Sequence, residues 1–343
     1  MRQRITTPPN ATKKAPSLSR RGFLNALVFL LSYPMLAQKT LARQRNKTIP
    51  HDDDPLRITL HKVSEGLYTH VGKLQEPSPD NGGNMANMHV VIGSDSIAVF
   101  DTGYSHTLGQ NLRRAIRTLS DKPISHVILS HVHPDHIFGA SAFLEDNPIF
   151  IGHKNLPRAL AQVGNYYLEG LSDTLGAHNA KKTRIVAPTH TVDIDKPLTI
   201  SLGDRELRIE AWKPAHTHTD ITALESMSQC LLTGDLVFVD HIPTFDGNTL
   251  GWLDILNKIE NTPHKTILPG HGDPPLAQWK HAIHAMDHYL QDVVRDVRKL
   301  IKDHVAIQDA ISMAAQNQKD QWQLFERYHP ANVTFAFAEL EWE

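Results

Sequence analysis

Hydrophobic residues along most of this chain fall into short runs, separated by turns rich in glycine, asparagine, aspartate and proline. Runs of this length, bounded by such turns, predict β-strands. The strand-like runs form two groups with helical patterns between them, so we expect two β-rich halves flanked by helices. The predicted strands lie at 58–63, 67–71, 88–92, 97–100, 124–129, 149–153 and within 185–212, and helical spacing is found at 108–119 and 156–171.

The longest helical pattern lies near the C-terminus, where apolar residues recur every three or four positions. Such a stripe either covers the protein's own core or binds a partner. Because amphipathic helices usually pack on their own domain, we expect the first arrangement. Residues 333–337 and 340–342 are predicted to close the domain by packing. The apolar stripe comprises Leu276, Trp279, Ile283, Met286, Leu290, Val293, Val297 and Ile301.

Four metal-capable side chains, His131, His133, Asp135 and His136, follow the predicted strand 124–129 directly. Two histidines two residues apart at a strand end can point the same way. An ordinary core does not tolerate this many unpaired polar groups, because each one costs several kcal/mol when buried. Imidazole and carboxylate donors suit zinc, so the cluster predicts a catalytic metal site.

Three more ligand-type residues, His216, Asp235 and His271, each follow an apolar strand-like run. Loops at the ends of a rigid scaffold commonly carry functional residues. The sequence therefore predicts two metal positions, with Asp235 placed to bridge them. The first position takes His131, His133 and His216, and the second takes Asp135, His136 and His271.

Residues close to these ligands have alternative interpretations. His218 competes with His216 as a ligand, and the Pro-x-His-Thr context favours His216. His218 and Asp220 are candidates for orienting the ligand imidazoles, or else are solvated loop residues. The candidates for lining the substrate entrance are Asn84, Asn87, Tyr166 and Tyr167.

The order of these motifs resembles that of the metallo-β-lactamase superfamily, over roughly residues 67–273. The resemblance implies an α/β fold, a four-layer αββα sandwich with metals at one edge, here with a C-terminal helical extension. It implies that Asp101 supports the metal loop without binding metal. The aspartate at position 235 matches the hydrolase branches of the superfamily. It does not match the β-lactamases that have cysteine at this place. His133 disfavours the di-iron branch, which has glutamate there.

A narrower resemblance rests on three stretches: 135–143, 234–252 and the chain end at 332–343. They are similar to periplasmic zinc metallohydrolases associated with quinoprotein dehydrogenase relays and sulfur-oxidation clusters. The resemblance implies a small-molecule substrate, and quinoprotein dehydrogenase or sulfur-oxidation proteins as partners.

The complete ligand set implies two Zn²⁺ ions and a metal-bridging hydroxide that attacks a small ester, thioester, lactone or sulfur-containing substrate. Asp135 is expected to ligate the second metal and to orient the nucleophile, which makes it the catalytic residue. Two alternatives stay open: a mononuclear iron persulfide dioxygenase, with one Fe, and a non-catalytic relay or binding component. A β-lactam hydrolase is disfavoured by Asp235.

The first 42 residues have the composition of an export signal. Ser19-Arg20-Arg21-Gly22-Phe23-Leu24 matches the twin-arginine pattern and precedes an apolar stretch that is short for a membrane span. We expect a signal peptide at 1–42, a flexible leader at 43–55 and a hydrolase domain at 56–343 with C-terminal helices from about 276. The protein would then be periplasmic, without a membrane span after processing; the alternative is a retained N-terminal anchor.

The net charge of the chain argues against one class of substrate, and its cysteine content excludes one kind of covalent cross-link. Seven of the 35 basic residues and none of the 37 acidic residues lie in the first 42 positions, so the remainder carries 28 basic and 37 acidic residues, a net charge of −9. Surfaces that follow nucleic-acid phosphates are basic, which argues against a nucleic-acid substrate. The single cysteine, Cys230, excludes an intramolecular disulfide and is expected in the core.

Overall fold

The structure is a computed structural model that describes residues 55–274 and 277–343. The predicted signal peptide, the leader as far as residue 54, and Leu276 lie outside the described residues. Two β-sheets pack face to face, and helices cover the outer face of each sheet. The α/β sandwich that the sequence predicted, with its C-terminal helices, is confirmed.

The first sheet has seven strands in chain order. The first four strands pair with one another in antiparallel fashion. The fourth strand pairs with the fifth, the fifth with the sixth and the sixth with the seventh in parallel. The predicted strands 88–92 and 97–100 pair as a hairpin whose turn includes Gly93. The strands are β1 (His61–Ser64), β2 (Leu67–His70), β3 (Met88–Ile92), β4 (Ile97–Phe100), β5 (Ile124–Ile128), β6 (Ile149–His153) and β7 (His190–Val192).

The second sheet has five strands, again in chain order from one edge to the other. The first four strands form an antiparallel meander, and the last pair is parallel. The strands are β8 (Leu198–Ser201), β9 (Glu206–Ala211), β10 (Ile221–Glu225), β11 (Cys230–Phe238) and β12 (Thr266–His271).

Alternating side chains produce the layers. In β4, Ile97 and Val99 pack against the outer helices, whereas Ala98 and Phe100 face the second sheet. This follows from the two-residue period of a strand, and a strand buried on both faces is apolar throughout. Cys230 is buried between the sheets, where the sequence predicted a core residue.

Eight α-helices are present among the described residues. The predicted helix at 156–171 is divided: a π-helical turn at Leu160–Gly164 separates a short helix from a longer one. Three 3₁₀ segments lie at Phe138–Ala142, Leu144–Asp146 and Gln316–Gln321. The helices are α1 (His106–Leu119), α2 (Pro134–Ile137), α3 (Leu156–Ala159), α4 (Asn165–Ala180), α5 (Thr249–Asn261), α6 (Trp279–Lys302), α7 (Ile307–Ala310) and α8 (Phe325–Leu340).

The long C-terminal helix α6 covers the second sheet, as expected from its apolar stripe. Met286, Leu290 and Val293 are fully buried in the same core as the β11 residue Val237. Helix α8 packs on α6 and completes this layer. Within the described residues, none of the helices is both long and apolar enough to cross a membrane.

Candidate metal centre

The ligand-type residues lie where several strands end at one edge of the sandwich. His131 and His133 follow β5, and His271 is the last residue of β12. Asp235 lies within β11, which continues to Phe238 and pairs with β12 in parallel. Parallel strands end at the same edge of a sheet, so these loops bring together residues that are far apart in sequence.

The first group consists of His131, His133, His216 and Asp235. His133 Nδ1 lies 3.1 Å from His131 Nε2 and 3.1 Å from His216 Nε2. Asp235 Oδ2 lies 3.7 Å from His131 Nε2 and 3.5 Å from His216 Nε2. Three nitrogens and one carboxylate oxygen therefore surround a single point.

The second group consists of Asp135, His136 and His271. The Nε2 atoms of His136 and His271 are 3.3 Å apart, and Asp135 Oδ2 lies 3.5 Å from the first and 3.3 Å from the second. Asp235 reaches this group too, with Oδ1 at 3.1 Å from His136 Nε2 and Oδ2 at 3.4 Å from His271 Nε2. Asp235 thus lies between the two groups.

The outward-facing nitrogen of every ligand-type histidine has a hydrogen-bond partner. Such partners fix the tautomer and the orientation of metal-binding imidazoles. Four of the five partners are carboxylate or carbonyl oxygens, which only accept, so in four rings the outer nitrogen carries a proton. The pairs are His131 Nδ1 with Ser130 Oγ at 2.9 Å, His133 Nε2 with Asp246 Oδ2 at 3.0 Å, His136 Nδ1 with Asp101 Oδ2 at 2.8 Å, His216 Nδ1 with the Thr244 carbonyl at 2.8 Å, and His271 Nδ1 with the Met85 carbonyl at 3.0 Å.

This hydrogen bonding leaves the inner nitrogens as lone pairs that face one another. His133 Nδ1 faces His216 Nε2, and His136 Nε2 faces His271 Nε2, at 3.1 and 3.3 Å. Asp235 Oδ1 is buried without a hydrogen-bond partner. Converging lone pairs and an unpartnered buried carboxylate oxygen require positive charge between them. The donor set therefore fits two divalent cations that prefer nitrogen and oxygen ligands.

The pKa values of the ligand histidines are shifted in both directions. In the first group, burial disfavours the charged form of His133, but Asp246 outweighs burial and raises its pKa. Burial lowers the pKa of His216 to about 3, and it lowers that of His131 well below its usual value. Burial also disfavours the charged form of His271, but Asp235 and Asp135 outweigh it and raise its pKa to about 9. The same carboxylates raise the pKa of His136. In the absence of metal, protons on the second group would supply the positive charge.

The two ligand carboxylates, Asp135 and Asp235, are held ionised by the same contacts. Burial by itself would raise the pKa of Asp135, but His136 and His271 lower it to about 2. His136 and His271 likewise hold the pKa of Asp235 well below its usual range. Both side chains are therefore in the form that binds metal at neutral pH.

Asp101 connects the strand ends below the site. Its Oδ1 accepts from the Ser130 backbone N–H at 2.9 Å, while its Oδ2 accepts from His136 Nδ1. Its φ of 63° lies in the left-handed region, which an L-residue occupies only where its surroundings require it. Asp101 thus contacts a ligand without facing the metal positions, as the resemblance implied.

His218 and Asp220 lie outside both groups. The His218 side chain is exposed, so the structure brings His216 into the cluster and leaves His218 out. Asp220 is buried and accepts from the Thr217 backbone N–H at 2.9 Å and the Thr217 hydroxyl at 2.6 Å. Asp220 therefore shapes the loop after His216, and Thr217 is its contact in place of an imidazole.

The two asparagines considered for the substrate entrance are buried. Asn84 Oδ1 pairs with His70 Nε2 at 2.8 Å. Asn87 donates to the Pro269 carbonyl at 2.9 Å and the Gly272 carbonyl at 2.8 Å, on either side of His271. Both asparagines are thus hydrogen-bonded within the protein, and their place at a substrate entrance stays a prediction.

Several residues beside the site gave little signal in sequence, although Tyr167 was considered for the substrate entrance. Asp246, which accepts from His133, lies 113 positions away from it. Tyr104, Tyr167 and Tyr328 come from three different elements. Burial raises the pKa of each hydroxyl, and the charge of Asp135 raises it further, so all three are neutral phenols near that carboxylate. Tyr104 lies three positions after Asp101 in the sequence, which was a further hint.

A four-layer sandwich with two groups of histidine and aspartate at one edge defines a class of metal-dependent hydrolases. The chain belongs to the metallo-β-lactamase superfamily, whose family model matches residues 81–271. Among solved structures, a metallo-β-lactamase from Pontibacter korlensis superposes with a TM-score of 0.55 at 15% identity, covering 69% of this chain and 100% of that one. At this identity the likeness shows the shared fold.

Two relatives of known name are similar in sequence. The acyl-coenzyme A thioesterase MBLAC2 of Homo sapiens is 26% identical over 219 residues, which is 55% of this chain and 74% of the relative. A linear primary-alkylsulfatase from a Pseudomonas species is 27% identical over 119 residues, which is 35% of this chain and 20% of that enzyme. Both similarities agree with membership of a hydrolase family.

Proposed function

We propose that this protein is a dinuclear zinc hydrolase that cleaves a small ester, thioester, lactone or sulfur-containing substrate. The observation that carries the proposal is the position of Asp235. Its two oxygens lie 3.1–3.7 Å from the Nε2 atoms of four ligand-type histidines, two from each group. One of these oxygens, Oδ1, is buried without a hydrogen-bond partner. A carboxylate in this position is suited to bridging two cations.

The two groups of ligand residues would each hold one metal ion. His131, His133 and His216 would hold the first ion, and the second would be held by the group that contains Asp135. When bound, two metal ions would supply a water of lowered pKa and would polarise the bond to be cleaved. The Asp135 carboxylate is ionised, and its Oδ2 lies 3.3 Å from His271 Nε2. This carboxylate would orient the attacking water.

The surroundings of the site indicate how a substrate would be held. Three neutral phenols, Tyr104, Tyr167 and Tyr328, can donate hydrogen bonds to oxygen or sulfur atoms and offer aromatic surface to an acyl group. Similarity to a named acyl-coenzyme A thioesterase supports a thioester, and similarity to an alkylsulfatase supports a sulfate ester. Ester, thioester and sulfate ester are therefore the first substrates to assay.

Metal analysis of the purified protein tests this proposal. The protein without residues 1–42, purified without added metal, should contain two zinc ions per chain. Asp235→Ala should lose both ions together, because it removes an oxygen from each position. His218→Ala is the matched control, since this exposed histidine lies outside both groups, and it should retain both ions.

Other results would decide against the dinuclear zinc centre. One iron per chain, with oxygen consumption on a persulfide, would establish the mononuclear dioxygenase. Absence of bound metal would favour a binding or relay component. Loss of one ion only in Asp235→Ala would show that this carboxylate does not bridge.

The cellular location is proposed from the sequence. The twin-arginine motif at Arg20 and Arg21 supports export to the periplasm, where a quinoprotein dehydrogenase or sulfur-oxidation protein would be a partner. Fractionation of cells producing the full chain and an Arg20→Lys, Arg21→Lys variant tests this. We expect the unaltered protein in the periplasm and the variant in the cytoplasm.

A further inference from the structure

The C-terminal helix α8 lies outside the residues matched by the family model, yet it contacts the backbone beside the first group of ligands. The connection runs through the loop at 240–248, between β11 and α5. Two atoms of this loop hold first-group histidines: the Thr244 carbonyl accepts from His216, and Asp246 Oδ2 accepts from His133. Whatever fixes this loop therefore fixes two imidazoles.

Asn332 of α8 is 1% exposed and grips this loop on both sides of Thr244. Its Oδ1 accepts from the Phe245 backbone N–H at 3.1 Å, and its Nδ2 donates to the Pro243 carbonyl at 2.7 Å. One side chain thereby satisfies two buried backbone groups that would otherwise be unpaired, at a cost comparable to lost hydrogen bonds.

Asn332 is itself fixed by a buried network with a single consistent direction. The Ala314 carbonyl accepts from His329 Nε2 at 2.9 Å, so His329 Nδ1 is an acceptor. The Tyr289 hydroxyl donates to this nitrogen at 2.9 Å, and its oxygen accepts the second proton of Asn332 Nδ2 at 2.9 Å. Each donor and acceptor named in this hydrogen-bond network is paired, and this pairing determines how the Asn332 amide is oriented.

Two further contacts hold the ends of the same loop. Gln323, just before α8, accepts from the Ile242 N–H at 3.1 Å and donates its own N–H to the Asp240 carbonyl at 2.7 Å. Glu339 accepts from the Thr249 N–H at 3.0 Å, where α5 begins, and from the Asn248 side chain. The loop is thus held at its beginning, middle and end by the C-terminal segment.

The second group of ligands is held by other parts of the chain. His271 donates to the Met85 carbonyl, and His136 donates to Asp101. Neither contact involves the loop at 240–248 or helix α8. The hydrogen bonds that orient the imidazoles of the two positions are therefore separate. His241 of this loop does pack its ring 5.0 Å from that of His271, but it lies next to the Gln323 contact and not between the two Asn332 contacts.

We infer that Asn332 is a positioning residue for the first metal position alone, through Thr244 and Asp246, so that the C-terminal helix is part of the metal centre. The inference rests on the proposed dinuclear site. Removing the amide should weaken metal binding at the first position by about tenfold, the lower end of the effect seen for groups that orient ligands. Binding at the second position should not change.

The test titrates zinc into proteins that each retain one position. His271→Ala leaves the first position and His216→Ala leaves the second. Adding Asn332→Ala should weaken zinc binding about tenfold in the first background and less than twofold in the second. Val333→Ala is the matched control, because Val333 is equally buried on the same helix and its side chain has no group that could hydrogen-bond to the loop. It should affect neither background.

Equal weakening in both backgrounds, or in neither, would overturn the inference. Failure of the proposed function is separable, since it appears as fewer than two ions in the unaltered protein. Should neither single-position protein bind zinc, amide hydrogen exchange of the metal-free protein still decides. Asn332→Ala should speed exchange at Phe245 relative to Val333→Ala, and unchanged exchange there would overturn the inference.

Discussion

At the scale of single residues, the site is defined by which nitrogen of each histidine faces inward. His133 presents Nδ1, whereas His131 and His216 present Nε2. The outward nitrogen is fixed by a partner in each case. Sequence shows that a histidine is present, but its tautomer depends on a partner elsewhere in the chain.

Protonation of the second group leads to a prediction about metal binding. The pKa of His271 is about 9 without metal, so this ring is charged at pH 7.5 and must lose its proton when a metal binds. Titration calorimetry of zinc binding, in buffers of different ionisation enthalpy, should show release of at least one proton per protein at pH 7.5. Heat that is independent of the buffer would contradict this assignment.

The raised pKa of His271 also determines how the stability of the metal-free protein changes with pH. A folded-state pKa above the unfolded value near 6.5 contributes stability that is fully present below pH 6.5 and lost as pH rises through about 9. The metal-free protein should therefore lose stability over this interval. The zinc-loaded protein, whose His271 is neutral throughout, should lose less, as urea unfolding at several pH values would show.

At the scale of secondary-structure elements, the close approach of β12 to β11 places the bridging carboxylate. A Cβ added at Gly270 would lie 1.9 Å from Asp235 Oδ1 and 2.7 Å from the Gly234 carbonyl carbon. Only glycine allows the two strands to approach in this way. The sequence indicated His271 as a ligand, whereas the reason for the glycine before it is a contact with another strand.

Gly270→Ala should therefore displace Asp235 and remove metal from both positions. Gly170→Ala is the matched control, because a Cβ at this position in α4 meets nothing within 4 Å. It should keep both ions and stabilise the helix by up to about 1 kcal/mol. Metal content and thermal unfolding of the two variants measure the difference. A Gly270→Ala protein with two ions would show that the strands can separate without cost to the site.

At the scale of the whole molecule, the sandwich is closed on one side by helices that follow the family-matched region. Helices α6 and α8 share a core with β11, and α8 also supports the loop beside the first ligand group. Metal binding and global stability are therefore coupled through one connected structure. A ligand that binds only the folded form stabilises it by mass action.

Removal of metal should lower the melting temperature. Zinc at 100 times its dissociation constant contributes about 2.7 kcal/mol, which corresponds to a shift of several degrees in a domain of this size. Differential scanning calorimetry with and without chelator measures it, and zinc should restore the original value. Asp235→Ala should show no chelator effect, whereas His218→Ala should behave like the unaltered protein. An equal shift in Asp235→Ala would mean that the chelator acts elsewhere.

The sequence by itself determined the ligand types, their order and most of the elements that carry them. The continuous apolar run at 97–100 and the apolar stripe of α6 are local patterns, visible within a few residues or a few turns. The π-helical turn at Leu160–Gly164 was missed because the apolar spacing continues through it.

Only the tertiary structure decided how the site is supported. Asp246 is 113 positions from His133, and Met85 is 186 positions from His271. The hold of Asn332 on Pro243 and Phe245 is equally remote in sequence. A hydrogen bond between distant residues leaves no periodic trace, because any polar residue that the fold brings within 3 Å can serve. The physical reason is that chemistry type is a property of one side chain, whereas orientation is a property of the packed chain.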